Sequence, residues 1–123
     1  MYAERHVVAI TVDASGDATA YSPVVTGEIR QIHYVKTDFA DTVDMTITGE
    51  TTGQAIFAQS NVTGSFVKAP RQPLYDQAGV AMLHAPTTGT ALPGPIVVVK
   101  ERIKIVIAQG GVSKTGTIHL VIG

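Results

Sequence analysis

Several features common in proteins are absent from, or scarce in, this sequence of 123 residues. It contains no cysteine, which excludes disulfides and thiolate metal sites and suits assembly in a reducing cytoplasm. Charged residues make up 15% of the chain and the formal net charge is −1, so no broad electrostatic surface is available for nucleic acid or an anionic membrane. The apolar run Val7–Val12 follows two charged residues and stops at Asp13, so we expect neither a signal peptide nor a membrane span.

The sequence consists of short alternating segments, rich in Thr and Val, that turn residues separate at nearly regular intervals. No stretch has the periodicity of an amphipathic helix, and a chain of this length fits one domain. This pattern is typical of an all-β fold. We therefore predict a single β-sandwich or jelly-roll-like barrel over residues 1–123, with about eight short antiparallel strands and one long proline-marked loop excursion over residues 68–95.

The clearest strand is predicted over Thr42–Thr48, with Val43, Met45 and Ile47 on the inner face. The remaining predicted strands are Arg5–Asp13, Ala18–Tyr21, Thr26–Val35, Gln54–Gln59, Ser65–Lys68, Ile96–Val99, Arg102–Ala108 and Thr115–Ile122. In Gln54–Gln59 the inward side is either Ala55 with Phe57 or Ile56 with Ala58. Lys100-Glu101 is either a tight turn or a bend within one long strand.

One predicted strand, Thr26–Val35, alternates imperfectly. Ile29 occupies an odd position, whereas Ile32 and Tyr34 occupy even positions. One extra residue in the strand would return all three side chains to the same face. We therefore predict a β-bulge near Gln31.

The last two predicted strands flank a glycine pair and suggest a β-hairpin. With its turn centred on Gly111-Val112, Ile105 would lie opposite Ile118, and Ile103 opposite Leu120, on the apolar face. The other face would pair Lys104 with His119, Val106 with Thr117 and Ala108 with Thr115, and Gly110-Gly111 would supply positive φ values. We expect the final strand to be part of the core.

Candidate catalytic and metal-binding residues are few, and we predict no catalytic residue, no resident metal and no cofactor. The four histidines, His6, His33, His84 and His119, have no local ligand spacing and are interpreted as polar residues on strand faces or rims. Asp38, Asp41 and Asp44 lack the EF-hand pattern and are interpreted as two turn residues and an outward strand residue. One alternative is a calcium- or carbohydrate-binding sandwich module that uses these aspartates with Phe39 or Tyr34. Another is an enzyme on a small barrel in which histidines distant in the sequence converge on a metal.

The excursion over residues 68–95 carries large apolar side chains that could serve as interface anchors: Leu74, Tyr75, Met82 and Leu83. A segment this long within a compact domain usually has a function or a structure of its own. These residues either dock on a partner or fold back as a lid over the core, and one set could serve both purposes. Within it, Leu74–Leu83 is the one place where a helical turn is predicted.

Two segments, YSPVVTGEIRQIHYVKTDFADTVDMTITGETTGQAI at 21–56 and ERIKIVIAQGGVSKTGTIHLVIG at 101–123, resemble small structural proteins of tailed-bacteriophage virions. In its strand sequences the chain is similar to head decoration, or cement, proteins of the jelly-roll-like type. The resemblance implies a non-enzymatic protein that is made in the host cytoplasm, binds the major capsid protein on the capsid exterior, stabilises the shell and forms a homo-oligomer. The alternative within virions is a tail or head–tail junction protein.

Overall fold

The computed structural model describes residues 3–83, 85 and 89–123, and this part of the chain contains no helix. The predicted all-β class is confirmed. The nine strands are β1 (Glu4–Thr11), β2 (Ala18–Lys36), β3 (Val43–Gly49), β4 (Ala55–Val62), β5 (Phe66–Lys68), β6 (Gln72–Pro73), β7 (Pro93–Gly94), β8 (Ile96–Ala108) and β9 (Thr115–Ile122).

Seven of these strands form one antiparallel sheet in the order β1-β9-β2-β8-β3-β4, with β5 also paired to β2. The long strand β2 links the two halves of this sheet. One half contains β1, β9, β5 and the second part of β2, and the other contains β8, β3, β4 and the first part of β2. Residues Ala18–Ile29 pair with β8, and Ile29–Lys36 pair with β9, with β5 on the other side. Both halves turn their aliphatic side chains into one core, which gives the molecule a sandwich-like architecture.

The alternating pattern of β3 predicts its buried face correctly. Val43, Met45 and Ile47 are at most 1% exposed. In β4 neither predicted alternative holds as a whole, because Ile56 is buried and Phe57 packs against the core from its partly buried position. The register of β3 against β4 shifts twice, so strict alternation is not maintained along β4.

Strand β2 is much longer than predicted, because it joins the segments predicted as Ala18–Tyr21 and Thr26–Val35. Its register against β8 shifts between Tyr21 and Val24. At this irregularity the buried Ser22 hydroxyl accepts a hydrogen bond from the Ile103 amide at 2.9 Å. The side chain thus satisfies a backbone donor where the regular ladder is interrupted, and the strand continues through the sequence Ser-Pro.

The predicted bulge in the second half of β2 is confirmed. Ile29 pairs with Ile122 and Gln31 with Val121, which leaves Arg30 as the extra residue. Ile29, Ile32 and Tyr34 are consequently all buried on one face. The bulge also lies where β2 passes from one half of the sheet to the other.

Lys100 lies at a bend within one long strand, which settles the two readings of Lys100-Glu101. Its φ is +48°, and the register of β2 against β8 shifts between Val25 and Gly27. The Lys100 amide donates to the Thr26 hydroxyl at 3.1 Å. The bend therefore has its own hydrogen bond, and β8 runs unbroken from Ile96 to Ala108.

The predicted hairpin between the last two strands is wrong. Strand β9 pairs with β1 and β2, whereas β8 pairs with β2 and β3. Ile118 lies opposite Val8 and Tyr34, not Ile105, and the other predicted cross-strand pairs fail with it. The glycine-containing connection crosses between the halves of the sheet; of its two glycines, only Gly111 has positive φ.

The inner faces of both strands were nevertheless predicted correctly. Ile103, Ile105, Ile118 and Leu120 are all fully buried, so the final strand is core material as expected. Alternation identifies the buried face of a strand, but it does not identify the neighbouring strand.

Candidate interaction surfaces

The described residues of the excursion over residues 68–95 form a small β-structure of their own, which we call the arm. Strands β6 and β7 pair, and two isolated bridges join Tyr75 to Ala81 and Leu83 to Ala91. The Leu74 amide donates to the Leu92 carbonyl, and the Met82 amide to the Leu74 carbonyl, both at 2.8 Å. The helical turn predicted within Leu74–Leu83 is therefore replaced by a turn between extended segments.

The tip of the arm is a tight turn built around Asp76. Its Oδ1 accepts hydrogen bonds from the amides of Ala78 at 2.9 Å and Val80 at 3.0 Å. Gly79 has a φ of +80°, a conformation that glycine adopts without strain. An aspartate that bonds amides two and four residues further on favours a turn over a helix.

The structure places the four predicted anchor residues on the arm, outside the core. Tyr75 is 58% exposed, Met82 43% and Leu74 39%, and Leu83 is partly buried. None of them belongs to the buried cluster that fills the sandwich. Leu74 also supports the arm, because it packs closely over Gly94. The four residues therefore do not pack on the core as the lid alternative requires.

Two histidines that are far apart in the sequence meet on the outer face of the β1-β9-β2-β5 half of the sheet. His33 and His119 are opposite each other on β2 and β9, with ring centroids 5.4 Å apart. Arg5 Nη1 lies 3.1 Å from His119 Nδ1. Partial burial, followed by the charge of Arg5 and the neighbouring His33, lowers the pKa of His119.

The surroundings of this pair are apolar. Val7 lies opposite His119, and Val67 lies opposite His33, so that one row of side chains crosses four strands. Val7 is 56% exposed and Val67 is 54% exposed. We call this surface, formed by Arg5, Val7, His33, Val67 and His119, the histidine face.

The remaining described histidine, His6, lies apart from this pair, and His84 lies outside the described residues. His6 Nε2 is 3.5 Å from Glu4 Oε2. Both residues line a shallow pocket of about 320 Å³ together with Val24, Val25, Thr26, Ile122 and Gly123. Among the described residues, no second carboxylate, cysteine or histidine side chain lines this pocket.

The three aspartates of the predicted alternative site are each engaged with a different partner. Asp38 Oδ1 accepts from the Thr115 amide at 2.6 Å, and this bond is the main cause of its lowered pKa. Asp41 pairs with Lys36, and Asp44 Oδ1 accepts from the Asn61 amide. Within the described residues no three carboxylate, histidine or cysteine side chains form a group that could hold a metal ion.

The outer face of the opposite half of the sheet carries a paired charge. The Arg102 guanidinium lies 4.1 Å from the centre of the Tyr21 ring and pairs with Glu50 through two hydrogen bonds. That pairing lowers the pKa of Glu50 and raises that of Arg102. On this face the charge of Arg102 therefore already has a carboxylate partner, unlike the charge of Arg5 on the histidine face.

Sequence reasoning assigned the histidines to strand faces but did not bring His33 and His119 together. The pairing of β2 with β9 is what brings the two residues together, whereas the predicted hairpin had paired β9 with β8.

No helix in the described part of the chain could cross a membrane. Comparison of the chain with protein-family models, with curated proteins and with solved structures finds no match.

Proposed function

We propose that this chain is a non-enzymatic structural protein of a tailed-bacteriophage virion, a head decoration or cement protein. In this role it binds the major capsid protein on the outside of the shell and stabilises it. The arm is the contact element, and Leu74, Tyr75, Met82 and Leu83 are its anchor residues. The resemblance of the two long segments to such virion proteins gives the class of function.

The observation that carries this proposal is the exposure of large apolar side chains on an arm that is separate from the core. Tyr75 and Met82 are 58% and 43% exposed, respectively, in a chain with few charges. Protein interfaces are enriched in aromatic residues and methionine and depleted of charge at their centre. An arm of this composition fits a protein surface better than it fits solvent.

A cement protein also needs a rigid body from which its contact element extends. The core of aliphatic residues supplies this body, because its largest side chains are less than 2% exposed. Each contact can be modest, since many copies attach around a shell and an oligomer binds through several arms at once. A standard interface buries roughly 800 Å² on each partner.

The first experiment is co-sedimentation of the purified chain with capsid shells that lack it. We expect saturable binding, and we expect Met82→Ser to weaken it roughly 5- to 30-fold, which is the usual effect of truncating an interface anchor. Met82 is suited to this test because it is exposed and is not the residue packed on Gly94. The matched control is Val112→Ser, which removes a side chain that is 66% exposed outside the arm.

Cryo-electron microscopy of the parent particle tests the location. Density for the sandwich on the outside of the head, in many copies, supports the proposal. Density at the head–tail junction or in the tail in a few copies would instead support the alternative virion location. If the particle contains no such density, the proposed function is wrong.

A further inference from the structure

The histidine face carries positive charge without a negative partner. Four ion pairs occur among the described residues, and none involves Arg5, His33 or His119. Burial, followed by the charge of Arg5 and the neighbouring His33, disfavours the charged form of His119, and a carboxylate brought to this point would pair with Arg5 and offset these charge effects. The exposed valines on either side would contact apolar groups beside that carboxylate.

The tip of the arm has the complementary chemistry. Asp76 is the only carboxylate between Glu50 and Glu101, and it is exposed. Only its Oδ1 takes part in the hydrogen bonds of the turn, so Oδ2 is directed to no described donor. Tyr75 and Val80 beside it are 58% and 61% exposed. The tip therefore offers one negative charge between two exposed apolar side chains.

We propose that the arm tip of one copy docks on the histidine face of a second copy. Asp76 would lie against Arg5 and the two imidazoles, and Tyr75 and Val80 would lie against the exposed valines. The charge pattern of the two surfaces selects this occupant, because each carries what the other lacks. The inference rests on the proposed function, within which it names the partner of the arm tip: Tyr75 serves the contact between copies, and Leu74, Met82 and Leu83 serve the capsid.

The contact joins two different surfaces, since one copy supplies the arm and the other supplies the face. Each copy can therefore give one arm and receive one, and the products are two-fold dimers that exchange arms, closed rings or open chains. The association should also depend on pH. Arg5 on β1 and His33 on β2 are the charged or titratable groups facing His119, and the facing Val7 and Val67 are neutral. Protonation of His119 strengthens its attraction for a carboxylate, and the pKa of His119 lies below its ordinary value, so association should tighten from pH 7 to pH 5.

Sedimentation velocity of the purified chain, from low micromolar to near-millimolar concentration, is the first test. We expect concentration-dependent association of the unaltered chain. Asp76→Asn retains the Oδ1 acceptor of the turn but removes the charge, so the arm stays folded and association should weaken roughly tenfold or more. Arg5→Gln should have a similar effect. The matched control Arg30→Gln removes an exposed arginine that pairs with Glu28 and should leave association unchanged.

A mixing experiment separates this contact from one in which both copies use the same surface. Asp76→Asn chains keep an intact histidine face, and Arg5→Glu chains keep an intact arm. Neither variant should associate alone, but an equimolar mixture should form a heterodimer through the one remaining contact. Far-ultraviolet circular dichroism verifies that both variants fold.

The proposal is overturned if the unaltered chain stays monomeric at every concentration, if Asp76→Asn associates normally, or if the mixture gives no heterodimer. Association that does not change between pH 7 and pH 5 also contradicts it, because His119 would then take no part. These measurements use no capsid shells. A negative result here therefore leaves shell binding to the co-sedimentation test, and a monomeric chain that still binds shells would assign the arm tip to the capsid.

Discussion

The Tyr34 hydroxyl provides the sharpest test of the core. Its side chain is fully buried, and its ring lies between Phe39, with centroids 6.2 Å apart, and Phe66, at 5.5 Å. The hydroxyl has no hydrogen-bond partner among the described residues. An unsatisfied buried polar group destabilises a protein by about 1–3 kcal/mol. Tyr34→Phe keeps the ring packing and removes only this group.

We therefore expect Tyr34→Phe to raise the free energy of unfolding by about 1–2 kcal/mol. For a chain of this size, that corresponds to a rise in Tm of roughly 3–10 °C. Urea denaturation followed by circular dichroism measures the change, and the slope of the transition should stay constant, because the variant exposes the same surface on unfolding. Tyr75→Phe is the control, since Tyr75 is exposed and its hydroxyl is accessible to water.

The same residue predicts a dependence on alkaline pH. Burial, followed by the charge of Asp41, raises the pKa of Tyr34 to about 12. In the unfolded chain a tyrosine ionises near pH 10, so the folded state holds the proton that the unfolded state releases. Stability is therefore retained below pH 10 and lost between about pH 10 and 12, by up to roughly 3 kcal/mol.

Lysines also titrate in this range, so the comparison is with Tyr34→Phe under the same conditions. The difference in unfolding free energy between the two proteins should widen from pH 9 to pH 12. Two results would refute the reasoning: a destabilisation by Tyr34→Phe of more than about 1 kcal/mol, or equal losses of stability by the two proteins at alkaline pH. The first result would mean that the hydroxyl has a favourable partner in the folded protein, and the second that its ionised form is as well solvated there as in the unfolded chain.

Three further predictions concern other contacts within the sandwich. In a thermal melt, Gly116→Ala should destabilise the fold by about 1–3 kcal/mol, because its Cβ would lie 2.5 Å from the Phe39 ring. Gly64→Ala is the control, and it should have little effect because the space around Gly64 is open. Ser22→Ala should lower the free energy of unfolding in urea by about 1–3 kcal/mol, because it leaves a buried β8 amide without an acceptor; a change below the error of the measurement would mean that water reaches this amide. Because hydrogen bonds from the start of β9 lower the pKa of Asp38, stability should fall as the pH drops below about 4, and an acid titration of Asp38→Asn should lack that part of the decline.

The sequence alone was sufficient to predict the class of fold and much of the core. The alternation of Val43, Met45 and Ile47 directly identifies a buried face, because successive side chains on a strand point to opposite sides. The offset between Ile29 and Ile32 likewise revealed a bulge, since only an extra residue reconciles those positions with one core. Each of these inferences depends on a few neighbouring residues.

The tertiary structure alone decided which strands are neighbours. Ile105 and Ile118 are both buried, but they lie in different halves of the sheet. The same decision brought His33 beside His119 to form the centre of the histidine face. Alternation is a local property of one strand, whereas backbone hydrogen bonds can join any two strands of compatible register. Which strands pair, and hence which distant residues meet, is settled only when the whole chain packs around one core.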